Sequence, residues 1–353
     1  MQENIIKTKD QLTNIVRKTV IAAGADKRNA DIVTEHLISS NLKGVDTHGL
    51  WCLPIYLNWI KSGELNPAAW PEIVKETNNS ALIKGNWTFG QVTAKFAMDI
   101  AIDKAKKFDI STVSGVQVTH TGRVGAYAEM AAKEKIISFV FNGGFSAQRA
   151  VPYGGKRGVL DTNPMAIGFP AGEEPPMVAD FATTAVSAVK IDLARLNKRN
   201  LAPGCIVDKD GNATCNPEDY FNGGAFLPFG GHKGYALMLA NEFLGRIFTN
   251  SDSFNTGRNL CSKPLCEYIG FTIIAFKPDL YGSFKDYSTK IDDMERQVRK
   301  IPPAPGFTEV MIPGDMERKV EEERLKNGIP IPINIWDRLK DSAKDLGIDI
   351  GSI

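Results

Sequence analysis

Residues 111–141 read STVSGVQVTHTGRVGAYAEMAAKEKIISFVF. They begin with a strand-like run, Thr112 to Val118, cross a turn that contains His120, and enter a helical stretch from Val124 to Lys135. A second apolar run, Ile136 to Phe141, follows at once. Because strand-like and helical patterns alternate here across a Gly-containing turn, the segment predicts an α/β fold.

The pattern extends outward from this segment and then changes at both ends of the chain. Strand-like apolar runs recur at residues 80–83 and 269–276. The two ends carry mainly charged, helical patterns instead. We therefore predict an α/β domain over residues 78–286 and a helical domain formed jointly by residues 1–77 and 287–353.

Composition bounds the class of protein. The chain has 353 residues, of which 43% are hydrophobic and 24% are charged, as in globular domains with ample core. Its net charge of +1 gives no electrostatic reason to expect a nucleic acid or an anionic membrane as partner. No apolar run is long enough to span a bilayer, and the N-terminus lacks the apolar core of a signal peptide. We expect a cytoplasmic protein.

The five cysteines are scattered along the chain, which indicates reduced thiols rather than a disulfide framework. Cys261 and Cys266 are separated by four residues, and a zinc site there would need two more ligands. No cluster of Cys or His lies nearby in the sequence. We therefore expect no metal site.

Histidines are placed selectively in this sequence. His36 lies in an ordinary helical pattern, whereas the other three lie in short turns that contain glycine. These turns are Asp46-Thr47-His48-Gly49, Thr119-His120-Thr121-Gly122 and Gly230-Gly231-His232-Lys233-Gly234. Glycine lets backbone approach a ligand closely, and imidazole moves protons near neutral pH. This placement indicates that the three histidines take part in chemistry.

Each of the three turns also has a purely structural interpretation. The turn at His48 joins two helices. Its imidazole either takes part in catalysis or caps a helix by hydrogen-bonding a backbone carbonyl. The turn at His120 follows a strand and begins a helix. It is either an anion site, in which backbone N–H groups bind the ligand, or an ordinary βα turn. The Gly-rich loop before Lys233 leads into a long apolar helix, Tyr235 to Phe248. It is either a flexible connection or a binding site for a phosphate or carboxylate, and we favour the binding site.

Two further polar segments are candidates for the same site. Thr162 and Asn163 precede Pro164, where the Asn side chain holds either a turn or a ligand amide. Asp180 ends a strand-like run and either orients a histidine or caps a helix. The sequence alone leaves both interpretations open.

The usual nucleotide-binding fingerprints are absent. No two glycines in the chain are two residues apart, so the pattern G-x-G-x-x-G does not occur, and neither does G-x-x-x-x-G-K-[ST]. Any nucleotide must therefore be bound by other means.

Taken together, these segments resemble the type 2 malate/L-lactate dehydrogenase family, which includes sulfolactate, ureidoglycolate and hydroxycarboxylate dehydrogenases. The matching pieces follow the family's order over nearly the whole chain: Thr47-His48-Gly49, His120-Thr121-Gly122, Thr162-Asn163-Pro164, Asp180-Phe181-Ala182-Thr183-Thr184, His232-Lys233-Gly234-Tyr235-Ala236-Leu237, Ile312-Pro313-Gly314-Asp315 and Glu323-Arg324-Leu325-Lys326-Asn327-Gly328-Ile329. The segment Gly122-Arg123-Val124-Gly125 is most similar to the hydroxycarboxylate dehydrogenase B branch.

The resemblance implies a fold and an activity. It implies a non-Rossmann NAD(P)-binding α/β domain beside the helical domain, and a homodimer with active sites near the subunit interface. It also implies hydride transfer between a nicotinamide and a 2-oxo/2-hydroxy carboxylic acid. NAD is the expected cofactor and NADP the alternative.

The resemblance and the local patterns also suggest roles for single residues. Reduction of a ketone places negative charge on its oxygen, so a protonated imidazole is needed there. His120 is our first choice for that acid and His48 the second, with Asp180 fixing the tautomer of an imidazole and raising its pKa. The residues expected to bind the cofactor are His48, His120, Thr121, Gly122, Thr162, Asn163, Asp180, Phe181, Ala182, Thr183, His232, Lys233, Gly234, Pro313, Gly314 and Asp315.

The sequence departs from the family where the substrate carboxylate is expected. The family usually has Arg four residues after the first-motif His, whereas this chain has Cys52. We expect Arg123, or failing that Arg149, to bind the carboxylate instead, and the pocket near Cys52 to accept a bulkier side chain. The other departures are Thr47 and Thr184 for Ser, Asp161 and Val189 for Gly, and Asp315 for Glu.

Two other functions fit parts of the sequence. A metal-dependent hydrolase would use the three turn histidines, but no pair of them has the H-x-H or H-x-x-x-H spacing of metal ligands. A non-catalytic homologue that binds its ligand for regulation would explain the missing arginine at Cys52.

Overall fold

The computed structural model describes residues 4–144, 147–254 and 268–350. In chain order, its strands are β1 Asn4–Lys7, β2 Glu72–Glu76, β3 Ser80–Lys84, β4 Ile110–Val116, β5 Ile137–Gly143, β6 Met165–Phe169, β7 Met177–Phe181, β8 Ile206–Val207, β9 Ala213–Thr214, β10 Ala225–Phe226, β11 Gly270–Phe276 and β12 Ile329–Pro332. Its helices are α1 Lys9–Ala22, α2 Lys27–Leu42, α3 Leu53–Ser62, α4 Gly90–Phe108, α5 Gly125–Lys133, α6 Ala188–Leu196, α7 Pro217–Phe221, α8 His232–Glu242, α9 Phe284–Arg299, α10 Asp315–Asn327 and α11 Ile333–Lys344.

A seven-stranded mixed sheet forms the centre of the fold. Its strand order is β2-β3-β4-β11-β5-β6-β7, and only the pair β3 and β4 is parallel. Helices α4 and α5 pack on the sheet, and their buried alanines let the helices lie close to it. The mixed α/β class predicted from the sequence is confirmed. The four apolar runs expected as strands correspond to β3, β4, β5 and β11.

The two ends of the chain meet in a second core. Strand β1 pairs with β12 in an antiparallel register, and α11 packs against α3. One apolar cluster combines residues of α1, α2 and α3 with residues of β12 and α11. The division into 1–77 with 287–353 and 78–286 stays a prediction, and its second boundary falls inside α9.

Polar side chains cap the first two helices. Asp26 caps α2, because its carboxylate accepts a hydrogen bond from the Asn29 backbone N–H at 2.7 Å. Thr8 and Gln11 form a capping box at the start of α1. The long helix expected from Tyr235 to Phe248 is α8 followed by a π-helical turn, Phe243–Ile247.

A small three-stranded sheet, β10-β8-β9, lies next to the start of α8. Bridges join Ala150 to Phe226 and Thr184 to Pro228, so this sheet is tied to the loops around β6 and β7. Within the described residues, no helix is long and apolar enough to cross a bilayer. Cys261 and Cys266 lie outside the described residues.

Candidate active site

Two of the turn histidines face each other at the loop that follows β4. His48 ends a 3-10 turn, Asp46–His48, and His120 lies in the loop after β4. Their rings are stacked, with centroids 5.4 Å apart and planes 19° from parallel. Both residues are half-buried, so one part of each ring is packed and another part is accessible. The sequence placed these residues 72 positions apart, and the fold brings them together.

The Nδ1 atom of each imidazole has a hydroxyl partner. Thr47 Oγ1 lies 2.9 Å from His48 Nδ1, and Tyr56 Oη lies 2.7 Å from His120 Nδ1. Tyr56 is anchored in turn by Gln91, whose Nε2 donates to the phenol oxygen at 2.7 Å. These contacts fix both ring orientations and leave Nε2 of His120 as the nitrogen available to a substrate.

Cys52 lies beneath this network. Its thiol donates to the Thr47 carbonyl at 3.1 Å. Burial raises the pKa of Cys52 to about 12, so the thiol stays neutral. Position 52 therefore supplies no charge to the site.

Burial and nearby cations keep both imidazoles neutral. Burial is the main cause that lowers the pKa of His120 to about 3, and the nearby His48 and Arg149 contribute to that value. Burial also lowers the pKa of His48 to about 4, with a contribution from Arg123. In this state each imidazole is able to accept a proton at neutral pH.

Asp180 lies on β7, opposite Ala166 of β6. Its carboxylate accepts the Gly125 backbone N–H at 2.9 Å, at the start of α5. Burial raises the pKa of Asp180 to about 6, while Arg123 acts in the opposite direction. The carboxylate thus lies at the base of the loop that carries His120, whereas Tyr56 holds the His120 ring itself.

Arg123 is enclosed behind this loop. Its backbone N–H donates to His36 Nε2 at 2.9 Å, and its Nη1 donates to Glu129 at 2.9 Å. Only 2% of its side chain is exposed, and its Nε and Nη2 atoms are buried without a partner. Gly122 is required next to it, because φ is +72° and a Cβ would come within 2.3 Å of the His36 ring.

Arg149 has a different setting. Its Nε and Nη2 donate to the two carboxylate oxygens of Asp161, each at 3.0 Å, in a two-bond fork. The Asp161 side chain is fully buried, whereas 42% of the Arg149 side chain is exposed. The fork therefore connects a buried carboxylate to a guanidinium that a ligand can reach.

The turn at Thr162 and Asn163 is fixed from both sides. The Thr183 N–H and hydroxyl donate to the Thr162 carbonyl at 2.8 and 2.9 Å. Asn163 Nδ2 donates to Glu242 at 2.8 Å. The Phe229 N–H donates to the Thr183 carbonyl at 3.0 Å, so the Gly-rich loop joins the same group of segments.

The Gly-rich loop opens α8. Gly230 and Gly231 have φ of +56° and +64°, and no side chain caps the first turn of the helix. His232 and Lys233 are exposed there, and His232 packs edge-on against Tyr153 at 5.8 Å. Free N–H groups and a lysine at a helix start are suited to an anion such as a diphosphate. The fold leaves His232 outside the stacked histidine pair.

The last predicted segment, Pro313 to Asp315, lies against β7. The Val178 N–H donates to the Pro313 carbonyl at 3.1 Å. Asp315 pairs with Arg299 and Arg318 and accepts the Ile312 N–H, so its carboxylate is already occupied. This carboxylate therefore holds α9 and α10 together.

Sequence reasoning missed three polar residues of the site: Tyr56, Gln91 and Asp161 as a partner of Arg149. Tyr56 and Gln91 lie on helices among apolar residues and are each 1% exposed. Nothing in their local pattern distinguishes them from core residues. Asp161 carried a signal, because it replaces a glycine of the family motif. Across the residues that the structure describes, no group of three or more His, Cys, Asp or Glu side chains could hold a metal ion.

Comparison with known proteins gives consistent matches over almost the whole chain. A family model described as malate/L-lactate dehydrogenase matches residues 8–340. The chain is 34% identical to L-sulfolactate dehydrogenase of Methanocaldococcus jannaschii, covering 93% of each protein. It is 31% identical to hydroxycarboxylate dehydrogenase B of Escherichia coli O157:H7, covering 92% of this chain and 90% of that one.

Solved structures agree with these matches. The fold superposes on a putative malate/lactate dehydrogenase from E. coli with a TM-score of 0.91 and 28% identity. That superposition covers 99% of this chain and 97% of the other.

Proposed function

Because this chain belongs to the malate/L-lactate dehydrogenase family, it is a 2-hydroxy acid dehydrogenase that uses a nicotinamide cofactor, and we propose how its own residues carry out the reaction. His120 moves the proton and His48 supports it. The observation that carries this assignment is the stacked pair with Tyr56 on His120 Nδ1. The reaction is the reversible interconversion of a 2-hydroxy acid and the corresponding 2-oxo acid.

The proton step follows from the state of His120. A bound nicotinamide supplies or accepts the hydride. During oxidation, neutral His120 carries its one N–H on Nδ1, where it donates to Tyr56 Oη, and takes the hydroxyl proton on Nε2. The Tyr56 oxygen accepts from both Nδ1–H and Gln91, so the hydroxyl hydrogen points away from the His120 ring. During reduction, the same imidazolium returns the proton to the ketone oxygen.

The cofactor is proposed to lie along the segments that the turn at Thr162 connects. Lys233 and the free N–H groups of α8 would hold its phosphates. The loop at His120 and the turn at Thr162 and Asn163 would hold the nicotinamide end. The largely antiparallel sheet and the absence of G-x-G-x-x-G support a non-Rossmann mode of binding. NAD is the proposed cofactor, with NADP as the alternative.

The substrate carboxylate needs a cation other than residue 52. Arg123 and Arg149 are the two candidates, and their charges act on His48 and His120 respectively. Arg149 is the more accessible of the two, because 42% of its side chain is exposed against 2% for Arg123. The small Cys52 side chain supports a substrate with a bulky side chain.

A homodimer is proposed on the exposed apolar face that follows the Gly-rich loop. Phe243, Ile247 and Phe248 are 52%, 64% and 61% exposed, respectively. Large exposed apolar side chains grouped in one segment fit an interface better than contact with water. Glu242, which directly precedes this face, accepts a hydrogen bond from Asn163 Nδ2, so the interface would lie close to the turn at Thr162 and Asn163.

The deciding experiment measures oxidation of NADH and NADPH with a panel of 2-oxo acids. Wild-type turnover of at least one acid is expected, and His120→Ala should lower kcat by about 10²–10⁴-fold while cofactor binding persists. Near-wild-type kcat in His120→Ala would remove His120 from the mechanism. Cofactor binding without turnover of any acid would favour the non-catalytic homologue instead.

A further inference from the structure

The substrate of a 2-hydroxy acid dehydrogenase carries a carboxylate, and the position where the family places its arginine is neutral here. Cys52 is 4% exposed, and burial raises the pKa of its thiol to about 12. A buried neutral thiol cannot balance a carboxylate. The binding charge must therefore come from another part of the site.

Arg123 is poorly suited to that task despite its position beside His120. Glu129 already occupies its Nη1, and Glu129 also lies 3.7 Å from Lys43. Its two unpartnered nitrogen atoms are sealed from solvent. A substrate would have to displace packed side chains to reach them.

Arg149 combines access with a fixed direction. Of its five N–H groups, two are held by Asp161, which leaves donors on its outer edge. The pair of donors on the outer edge of a guanidinium matches the two oxygens of a carboxylate. Both the side chain and its backbone are held, since the Arg149 carbonyl accepts the Phe226 N–H at 2.8 Å.

Asp161 is itself fixed to the active-site turn. Its carboxylate accepts the Thr162 N–H at 2.6 Å, and its own N–H donates to Asn163 Oδ1 at 2.9 Å. Being fully buried, the carboxylate requires a cationic partner, so each member of the pair holds the other in place.

One residue links this turn to the turn of His120. The Asn142 N–H donates to the Pro164 carbonyl at 3.1 Å, and its Nδ2 donates to Thr121 Oγ1 at 3.4 Å. The Arg149 charge is also close enough to His120 to lower the pKa of the imidazole. The guanidinium and the proton-transfer group thus lie on loops that these hydrogen bonds connect.

We propose that Arg149 binds the substrate carboxylate and that Asp161 is the positioning residue that aims it. This inference rests on the proposed function. The departures from the family at positions 52 and 161 then belong together. The carboxylate-binding arginine is lost at Cys52, and Asp161, in place of a glycine, holds Arg149 as its replacement.

The test compares a carboxylate substrate with its uncharged counterpart, pyruvate with pyruvamide, or the corresponding pair for a better 2-oxo acid. The double variant Arg149→Met/Asp161→Gly leaves no buried charge without a partner, so it should fold. For the acid, we expect KM to rise by about 10- to 100-fold, the loss expected for charge-assisted hydrogen bonds, with a much smaller change in kcat. The amide should lose little.

Two single variants separate positioning from charge. Arg149→Lys keeps the positive charge but cannot form the two-bond contact with a carboxylate. Asp161→Asn keeps the size of the side chain but removes the negative charge that orients Arg149. Each should therefore raise KM for the acid by less than the double variant does. Arg296→Lys is the matched control, because Arg296 also makes two charge-assisted hydrogen bonds to carboxylate oxygens and is 39% exposed. It should leave both substrates unchanged.

Direct binding keeps the inference separate from the proposed function. Calorimetry of oxamate, a carboxylate analogue of pyruvate, with the enzyme–NADH complex should show binding to the wild type and its loss in the double variant. Turnover by the wild type tests the proposed function, whereas this difference in binding tests the anchor. Unchanged KM and oxamate binding in a folded double variant, or equal losses for acid and amide, would overturn the proposal.

Discussion

The phenol oxygen of Tyr56 lies 2.7 Å from Nδ1 of His120, and this contact joins α3 of the terminal core to the loop after β4. Gln91, on α4, donates to the same oxygen at 2.7 Å. One hydroxyl thus receives hydrogen bonds from two sides of the site. By accepting from Nδ1–H it holds the ring of the proton-transfer residue and leaves Nε2 free to exchange the proton.

Removing that hydroxyl should slow the reaction in both directions. In Tyr56→Phe, Nδ1 of the His120 imidazolium loses its partner, and we expect kcat/KM to fall by about tenfold. Because no enzyme changes the equilibrium constant of its reaction, oxidation and reduction must lose the same factor. Initial rates in both directions measure it.

Tyr287→Phe is the control for this change. Tyr287 lies on α9, and its hydroxyl is also buried. It should leave kcat/KM unchanged. If Tyr56→Phe matched the wild type, the hydroxyl would have no part in proton transfer.

The kcat/KM for reduction should depend strongly on pH, whereas the kcat/KM for oxidation should hardly change. Since the pKa of His120 is lowered to about 3, the base is already neutral throughout the range of about pH 5 to 8. Oxidation requires the neutral form, so its kcat/KM should be flat there. Reduction requires the protonated form, so its kcat/KM should fall by about tenfold for each unit that the pH rises.

Rate profiles of both reactions at constant ionic strength measure this difference. The normal pKa of histidine, about 6.5, gives a contrasting pattern. With such a pKa, oxidation would lose rate below about pH 6.5 and reduction would level off there. Either bend in the profiles would contradict the neutral, buried state of His120.

Lys233 should matter for cofactor affinity more than for chemistry. Lys233→Ala removes an exposed cation from the uncapped start of α8, so the dissociation constant for NADH should rise by about tenfold while kcat at saturating cofactor changes little. Titration by NADH fluorescence measures it. Lys340→Ala, on α11, is the control. An unchanged dissociation constant in Lys233→Ala would make the loop purely structural.

The sequence was most informative where periodicity or turn chemistry was strong. The runs that became β4, β5 and β11 are long and apolar, so the central strands were predictable. The pairing of β1 with β12 was not, because each has four residues and more than 300 residues separate them. Short strands with such distant partners leave little local signal.

The same limit applies to the site. The Gly-containing turns identified His48 and His120, because turns of this kind have a recognisable composition. Tyr56 and Gln91 were missed because a buried polar side chain on a helix looks like part of the core until its partner is known. The two hydrogen bonds between Arg149 and Asp161 form only because the chain folds back on itself between these residues. No local sequence pattern predicts that contact.

The residue at position 52 should influence which side chain the substrate carries. Wild type should prefer phenylpyruvate to pyruvate, since a small thiol replaces the arginine of the family. Cys52→Arg should shift the ratio of kcat/KM toward pyruvate, whereas Cys52→Ser, of similar size, should not. A wild type that prefers pyruvate, with a ratio that Cys52→Arg leaves unchanged, would contradict this prediction.

The exposed face at Phe243 and Ile247 should control assembly. The π-helical turn presents both side chains outward, and charging them would make burial of the face costly. Light scattering should show wild type at twice the 38.6 kDa chain mass and Phe243→Glu/Ile247→Glu at that mass. The monomer should also bind NADH more weakly, because the same segment continues from the α8 start at Lys233. Phe307→Glu, at a site that is 70% exposed, should remain dimeric, and a double variant that stayed dimeric would place the interface elsewhere.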